Sequence, residues 1–152
     1  MSEFKSGLGC LGFVLLLFLI MKGCIALQGG QEVVDEKNLM KQIKENFTYA
    51  LNKTRPNFNH AVYVEKSKYG GYLIETKIPA GWQVYFYSSK ENPHNLQGLN
   101  LDAHEALYDV SERFTGTNIE RARLIKEAIE IFKPSNDYDY RKYVKPFEDK
   151  LK

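Results

Sequence analysis

The longest uninterrupted apolar stretch of the chain lies near its N-terminus. Of the 20 residues from Leu8 to Leu27, four fall outside the hydrophobic set, namely Gly9, Gly12, Lys22 and Gly23. A helix of this length spans about 30 Å, the thickness of the hydrocarbon core of a bilayer. A helix that is apolar on every face is not typical of a small soluble domain. The pattern therefore predicts a transmembrane segment over residues 8–27, preceded by a tail at residues 1–7.

Three fates of this segment remain open. The first is an uncleaved single-pass anchor, in which Lys22 reaches the interface with its charged end. The second is a cleaved signal peptide, since Cys24-Ile25-Ala26 offers small residues at the spacing of a cleavage site. The third is lipidation at Cys24. We take the anchor as the working hypothesis, with the lipid bilayer as a partner of residues 8–27.

Charges flanking the segment give conflicting indications of its orientation. Lys5 precedes it, whereas Lys37, Lys41 and Lys44 follow it, and the positive-inside rule would place the following domain in the cytoplasm. The position at the extreme N-terminus and the signal-like anatomy favour an extracytoplasmic domain instead. We predict a single-pass membrane protein with an extracytoplasmic domain over residues 31–152.

Apolar periodicity beyond Gly29-Gly30 predicts an α+β domain. A period close to 3.6 from residue 32 to residue 51 indicates a helix that ends before Pro56. Period-two alternation then predicts three strands, over 58–65, 72–78 and 82–87, joined by turns at Gly70-Gly71 and Pro79-Ala80-Gly81. Short turns between successive strands indicate a three-stranded antiparallel meander.

Helical periodicity returns after a loop over residues 90–100. It predicts helices over 103–114 and 118–132, and a further short helix in the tail that is interrupted at Pro146. Asp102 with Glu105, and Thr117 with Glu120, have the spacing of N-terminal capping boxes. The domain is thus a helix, a meander, and two or three C-terminal helices that pack on the sheet. Ten residues are expected in its core: Phe47, Val62, Val64, Ile74, Val84, Phe86, Leu107, Val110, Ile125 and Ile129.

The composition and the absence of certain motifs argue against several classes of function. The 21 basic and 19 acidic side chains nearly balance, which argues against a nucleic-acid partner held by a basic surface. Both cysteines, Cys10 and Cys24, fall within the apolar segment, so the domain has no thiol chemistry, disulfide or cysteine metal site. Phosphate loops and nucleophile elbows are absent from the sequence. We expect no cofactor and no metal.

Two groups of residues are candidates for function. His94, His104 and Glu105 could serve acid–base or zinc chemistry, but their spacing lacks the second histidine of an H-E-x-x-H helix. Tyr63, Tyr85 and Tyr87 share one strand parity and could line one side of the sheet as a binding surface. His60 alternates with valines and is expected to be a half-buried structural residue. The preferred hypothesis is a membrane-anchored binding or accessory domain with a protein partner; the alternative is a hydrolase-like or metal-dependent enzyme built on His94 and His104.

Overall fold

The computed structural model describes residues 34–78 and 81–152, and the side chains of Leu101, Asp102 and His104 lie outside that description. The chain divides into two units, residues 1–39 and 40–152. Within the first unit, residues 34–39 are described and are helical. The predicted segment over residues 8–27 lies outside the described residues. Among the residues that are described, no helix has the length and apolar character needed to cross a membrane.

The second unit is an α+β fold built around a five-stranded sheet. Residues 40–54 of this unit are helical, and we call them helix α1. It is followed by β1 (Tyr63–Lys66), β2 (Tyr72–Lys77), β3 (Gln83–Ser88) and β4 (Gln97–Gly98). Helix α2 (Leu101–Ala106), β5 (Glu112–Arg113) and α3 (Asn118–Phe132) complete the regular elements. The tail forms a π-helical turn at Tyr140–Val144 and a 3₁₀ segment at Lys145–Lys150, which Pro146 helps to begin rather than interrupt.

The predicted meander is confirmed, but the sheet is larger than predicted. Strands β1 to β4 pair antiparallel in sequence order, with Val64 opposite Ile74 and Ile74 opposite Phe86. Strand β5 adds to the edge parallel to β4, so that the sheet is mixed. Strand β1 begins at Tyr63 rather than Phe58, because the preceding residues form no ladder hydrogen bonds.

Glycines at positive φ make the two tight connections of the meander. Gly70 and Gly71 have φ of 89° and 75° in the first, and Gly81 has φ of 83° in the second. A Cβ at Gly71 would also collide with the Ser88 carbonyl oxygen and the Tyr87 ring. The β1–β2 turn therefore requires glycine both for its backbone angles and for the close approach of β3.

Both faces of the central strands are covered, whereas the meander prediction assumed a single covered face. Alternation along β3 places Phe86 on one face, where its ring meets Phe47 of α1 edge-on at a centroid distance of 5.2 Å. Tyr85 lies on the other face, in a cluster with α3 and the tail that includes Leu73, Ile125 and Val144. Most of the predicted core is buried, while Val64, Val110 and Ile129 are half-buried.

The helix predicted over residues 103–114 is much shorter and starts earlier. Helix α2 has Asn100 at its N-cap position, so the predicted capping box at Asp102 and Glu105 is wrong. The Asn100 side chain is buried and does not cap the helix. Instead its Oδ1 accepts from the Tyr85 backbone N–H at 3.1 Å, and its Nδ2 donates to the Gln83 carbonyl at 3.1 Å. The side chain thus extends the pairing of β3 beyond β4.

Helix α3 matches its predicted bounds at both ends. The Thr117 hydroxyl accepts from the Glu120 backbone N–H at 3.2 Å, and the Glu120 carboxylate accepts from the Thr117 backbone N–H at 2.7 Å. This is the predicted capping box. Lys133, in the left-handed region at φ 48°, caps the C-terminus directly before Pro134.

Candidate functional site: a polar cleft at the end of the sheet

A cleft of about 600 Å³ opens at the end of the sheet where α3 stops. We call it the sheet-end cleft. Its lining includes five polar side chains and one tyrosine. They come from the segment before β1, from the three strands of the meander and from the end of α3. These residues are His60, Tyr63, Glu75, Lys77, Gln83 and Lys133. These residues lie far apart in sequence, and the strand register brings them together.

Glu75 of the central strand β2 is one of the residues that line this cleft. Glu75 of β2 pairs with Tyr63 of β1 on one side and with Tyr85 of β3 on the other. Phe132, the last residue of α3, stacks on Tyr85 with a centroid distance of 6.2 Å. The left-handed Lys133 then turns the chain away from the helix axis. Helix α3 therefore covers the Leu73 end of this sheet face and leaves the Glu75 end beside the cleft.

The Glu75 carboxyl is buried, and few hydrogen bonds replace the water that burial removes from it. It is 5% exposed, and the Gln83 amide donates to it at 3.4 Å, a long hydrogen bond. Burial raises the pKa of Glu75 above its ordinary value, an effect that the hydrogen bond from Gln83 and the charge of Lys77 partly oppose. A carboxyl held in this way can exchange a proton closer to neutral pH than an exposed glutamate does.

Replacement of Glu75 by glutamine tests this raised pKa. The folded protein takes up the Glu75 proton at a higher pH than the unfolded chain, so the ionised carboxyl destabilises the fold above that range. We expect Glu75→Gln to raise Tm near neutral pH, because glutamine keeps the acceptor for Gln83 without the charge. The gain should vanish below the ordinary glutamate pKa of about 4.3. Thermal unfolding across pH measures it.

Glu65 provides the matched control for that measurement. It is exposed on β1 and shares the strand parity of Glu75. We expect Glu65→Gln to change Tm little at any pH, as is usual for an exposed position. Equal gains for the two variants, or a gain for Glu75→Gln that persists at acid pH, would contradict the assignment.

Tyr85 places a second buried polar group on the same sheet face. Its side chain is fully buried, and its hydroxyl has no hydrogen-bond partner among the described residues. Burial raises the pKa of Tyr85, and the nearby carboxylates of Asp139 and Glu75 raise it further. The hydroxyl consequently stays protonated. The Tyr85 side chain therefore adds no negative charge to the core or to the sheet-end cleft.

The three predicted binding tyrosines share a sheet face, as their parity indicates, but differ in accessibility. Tyr63 is 54% exposed and lines the sheet-end cleft. Tyr85 is fully buried in the core beneath α3 and the tail. Tyr87 is half-buried and meets Phe114 edge-on at 6.4 Å. Among the three, Tyr63 therefore offers the most open surface for a binding role.

The predicted catalytic candidates are not brought together among the residues that can be described. His94 is exposed in the loop between β3 and β4, and its Nδ1 lies 3.3 Å from the Asn46 amide. Glu105 is exposed on α2. The side chain of His104 lies outside the described atoms. Among the side chains that the structure describes, which exclude those of Asp102 and His104, no group of three or more histidine, cysteine or acidic residues could hold a metal ion.

Sequence reasoning missed Glu75, Lys77, Gln83 and Lys133. Alternation assigns Glu75 and Lys77 to the polar face of an amphipathic strand, which is normally solvated. The signal that could have indicated otherwise is the second set of apolar residues on that same face, which includes Leu73 and Tyr85. A strand with apolar residues of both parities is typical of a sheet covered on two sides.

Comparison with known proteins adds no further assignment. No protein-family model, no curated protein and no solved structure matches this chain. The functional argument therefore depends on the geometry of the site.

Proposed function

We propose that the chain is a membrane-anchored binding or accessory domain, held on the bilayer by residues 8–27 and facing the extracytoplasmic side. Its domain holds a partner protein at the sheet-end cleft. The observation that carries this proposal is the exposed Tyr63 ring on a paired strand, beside a cleft of about 600 Å³. An aromatic ring with a polar tip, held by a rigid element, is the kind of side chain enriched at protein interfaces.

The charges around the cleft indicate what the partner offers. Lys77 and Lys133 are exposed at the cleft, whereas the carboxyl of Glu75 is buried within it and has a raised pKa. The accessible charge is therefore positive. We propose a partner segment that places an acidic side chain near the two lysines and an apolar or aromatic group against Tyr63.

Capture of the partner from native membranes tests the proposal. The full-length protein is expected to remain with carbonate-washed membranes, because residues 8–27 anchor it. After mild crosslinking and solubilisation, the wild type should retain a partner that Tyr63→Ala loses by about tenfold, the range typical of an aromatic interface anchor. Lys77→Glu should weaken capture in the same way by reversing the attraction.

Tyr108→Ala is the matched control. Tyr108 is 71% exposed, follows α2, and does not line the cleft. Capture by this variant should equal that of the wild type. Equal loss in the Tyr63 and Tyr108 variants, or full capture by Tyr63→Ala, would refute the assignment of the cleft. Release of the full-length chain by carbonate would refute the anchor.

A catalytic role is the second candidate, and one observation favours it. Glu75, whose pKa is raised by burial, and His60 both line the cleft, so that a carboxyl and an imidazole are available there for proton transfer. The hydrolase-like alternative therefore has its best support at Glu75 rather than at His94 and His104.

A further inference from the structure

A second pocket, of about 410 Å³, is lined by residues from the β1–β2 turn, from β3 and β4, and from the first half of α3. It has no lining residue in common with the sheet-end cleft. A volume of this order is sufficient for a small ligand. Its walls combine aromatic rings with polar side chains, namely Tyr69, Tyr87 and Phe114 with Gln97, Glu120 and Arg123. We call it the tyrosine pocket.

The aromatic side of the tyrosine pocket has one open ring and two packed ones. Tyr87 and Phe114 are half-buried and meet edge-on at a centroid distance of 6.4 Å. Tyr69 is 51% exposed, and its backbone N–H donates to the buried Ser67 hydroxyl at 3.1 Å, which holds the turn in place. The Lys68 ammonium lies 5.2 Å from the centroid of the Tyr69 ring, but Lys68 does not line the pocket. The ring of Tyr69 therefore offers the pocket a flat apolar surface on a hydrogen-bonded turn.

Gly116 allows an aromatic ring and a carboxylate to lie together in the wall. A Cβ at this position would be 2.5 Å from Phe114 Cζ and 2.6 Å from Glu120 Oε2. The Glu120 carboxylate is held there by its hydrogen bond from the Thr117 backbone N–H. The apolar and polar parts of the pocket are thus fixed next to each other.

The polar side of the tyrosine pocket offers both donors and acceptors. Gln97 Oε1 accepts from the Thr115 backbone N–H at 3.1 Å, which orients the amide and leaves its Nε2 group as a donor. Arg123 is exposed and does not pair with Glu127 one turn further along, because that carboxylate binds the β1–β2 turn. The second oxygen of the Glu120 carboxylate supplies an acceptor.

We propose that the tyrosine pocket binds a pyranose ring of a carbohydrate. One face of a pyranose carries C–H groups, which pack on an aromatic face such as that of Tyr69 because the face of an aromatic ring is electronegative. The hydroxyl groups around a pyranose both donate and accept, so they match Arg123 and Gln97 as donors and Glu120 as an acceptor. A wall that contains both a guanidinium and a carboxylate favours a neutral ligand, since an ion of either sign would meet a like charge there.

A titration of the ¹⁵N-labelled full-length protein tests the proposal. The protein is kept in a polyoxyethylene detergent, whose head group contains neither a sugar nor an ammonium group. The probes are the methyl glycosides of glucose, galactose, mannose and N-acetylglucosamine. We expect at least one of them to shift the backbone amide resonances of Thr115 and Gly116 saturably, with a Kd on the order of 1 mM. Adenosine and choline, as an aromatic and a cationic probe, should bind more weakly.

Variants of the pocket separate stacking from hydrogen bonding. Tyr69→Ala should raise the Kd of the tightest-binding glycoside about tenfold, whereas Tyr69→Phe, which keeps the ring, should stay within about threefold of the wild type. Arg123→Ala should raise that Kd by about threefold to tenfold, because it removes a charged donor. Both positions are exposed, so these variants should fold.

Lys126→Ala is the matched control, because Lys126 is exposed on the same helix and does not line the pocket. Its Kd should stay within about twofold of the wild type. The proposal is overturned if none of the four glycosides gives a saturable shift up to about 100 mM. Equal losses in the Arg123 and Lys126 variants, an unchanged Kd for Tyr69→Ala, or tighter binding of adenosine or choline would also overturn it. These outcomes are independent of partner capture at the sheet-end cleft.

Discussion

Replacing Phe86 with alanine should lower the free energy of unfolding by about 3–5 kcal/mol, the range for a buried phenylalanine cut back to a methyl group. The Phe86 side chain is fully buried at the centre of β3. Its ring also meets Phe47 edge-on at 5.2 Å, so the substitution removes a contact between α1 and the sheet as well. Chemical unfolding, monitored by far-UV circular dichroism, measures the loss.

Tyr49→Ala provides the comparison for Phe86→Ala. Tyr49 lies on α1, close in sequence to Phe47, but is 70% exposed. Its truncation should change the free energy of unfolding by no more than about 0.5 kcal/mol. Similar losses in the two variants would show that α1 does not pack on the sheet through Phe47 and Phe86.

Replacing Glu127 with alanine should cost about 1.5–3 kcal/mol, the range for hydrogen bonds to a charged group. Glu127 is buried on α3, although its place in the helical repeat next to Arg123 suggests a solvated ion pair. Its carboxylate accepts from the Ser67 hydroxyl at 2.6 Å and from the Lys68 backbone N–H at 2.7 Å. It thereby fastens the β1–β2 turn onto α3.

Glu130 supplies a control one helical turn further along. Its carboxylate lies 3.8 Å from the Lys68 ammonium, and its side chain is 54% exposed. An exposed pair of this kind contributes about 0–1 kcal/mol, so Glu130→Ala should be nearly neutral. If Glu130→Ala destabilised the protein as much as Glu127→Ala, general charge attraction rather than the buried hydrogen bonds would hold the turn.

Local signals predicted the elements that are set by residues near one another in the chain. The bounds of α3 follow from the capping box at Thr117 and Glu120 and from the proline after Lys133, all of which act within a few residues of the helix ends. The meander follows from alternation and from the glycines of its two turns. These features are confirmed because the residues that determine them lie close together in the chain.

The prediction over residues 103–114 was wrong where distant pairing outweighed local periodicity. An apolar stripe through Leu107 and Val110 favours one long helix. In the structure the Glu112 backbone N–H donates to the Leu96 carbonyl at 2.8 Å, and the Asn95 amide donates to the Glu112 carboxylate at 3.0 Å. These bonds draw residues 112–113 into the sheet as β5, and they cannot be read from the periodicity of either segment alone.

Tertiary structure, rather than local sequence, brings together almost all residues of the sheet-end cleft. Among its lining residues, the sequence had indicated Tyr63 as a binding residue and His60 as a structural one. The remaining polar residues come together only through the strand register and the end of α3; they are Glu75, Lys77, Gln83 and Lys133.

The α+β class, the meander and the bounds of α3 follow from the amino-acid sequence, because turn chemistry, capping and apolar period act over short distances. Tertiary structure decided which polar residues are buried. Alternation distinguishes the two faces of β2 and β3 but cannot reveal that α1 covers one face while α3 and the tail cover the other. That double covering buries the Tyr85 hydroxyl, whereas Glu75 is buried where the sheet reaches the cleft. The sheet-end cleft opens because α3 ends at Phe132, beside the Glu75 end of the sheet.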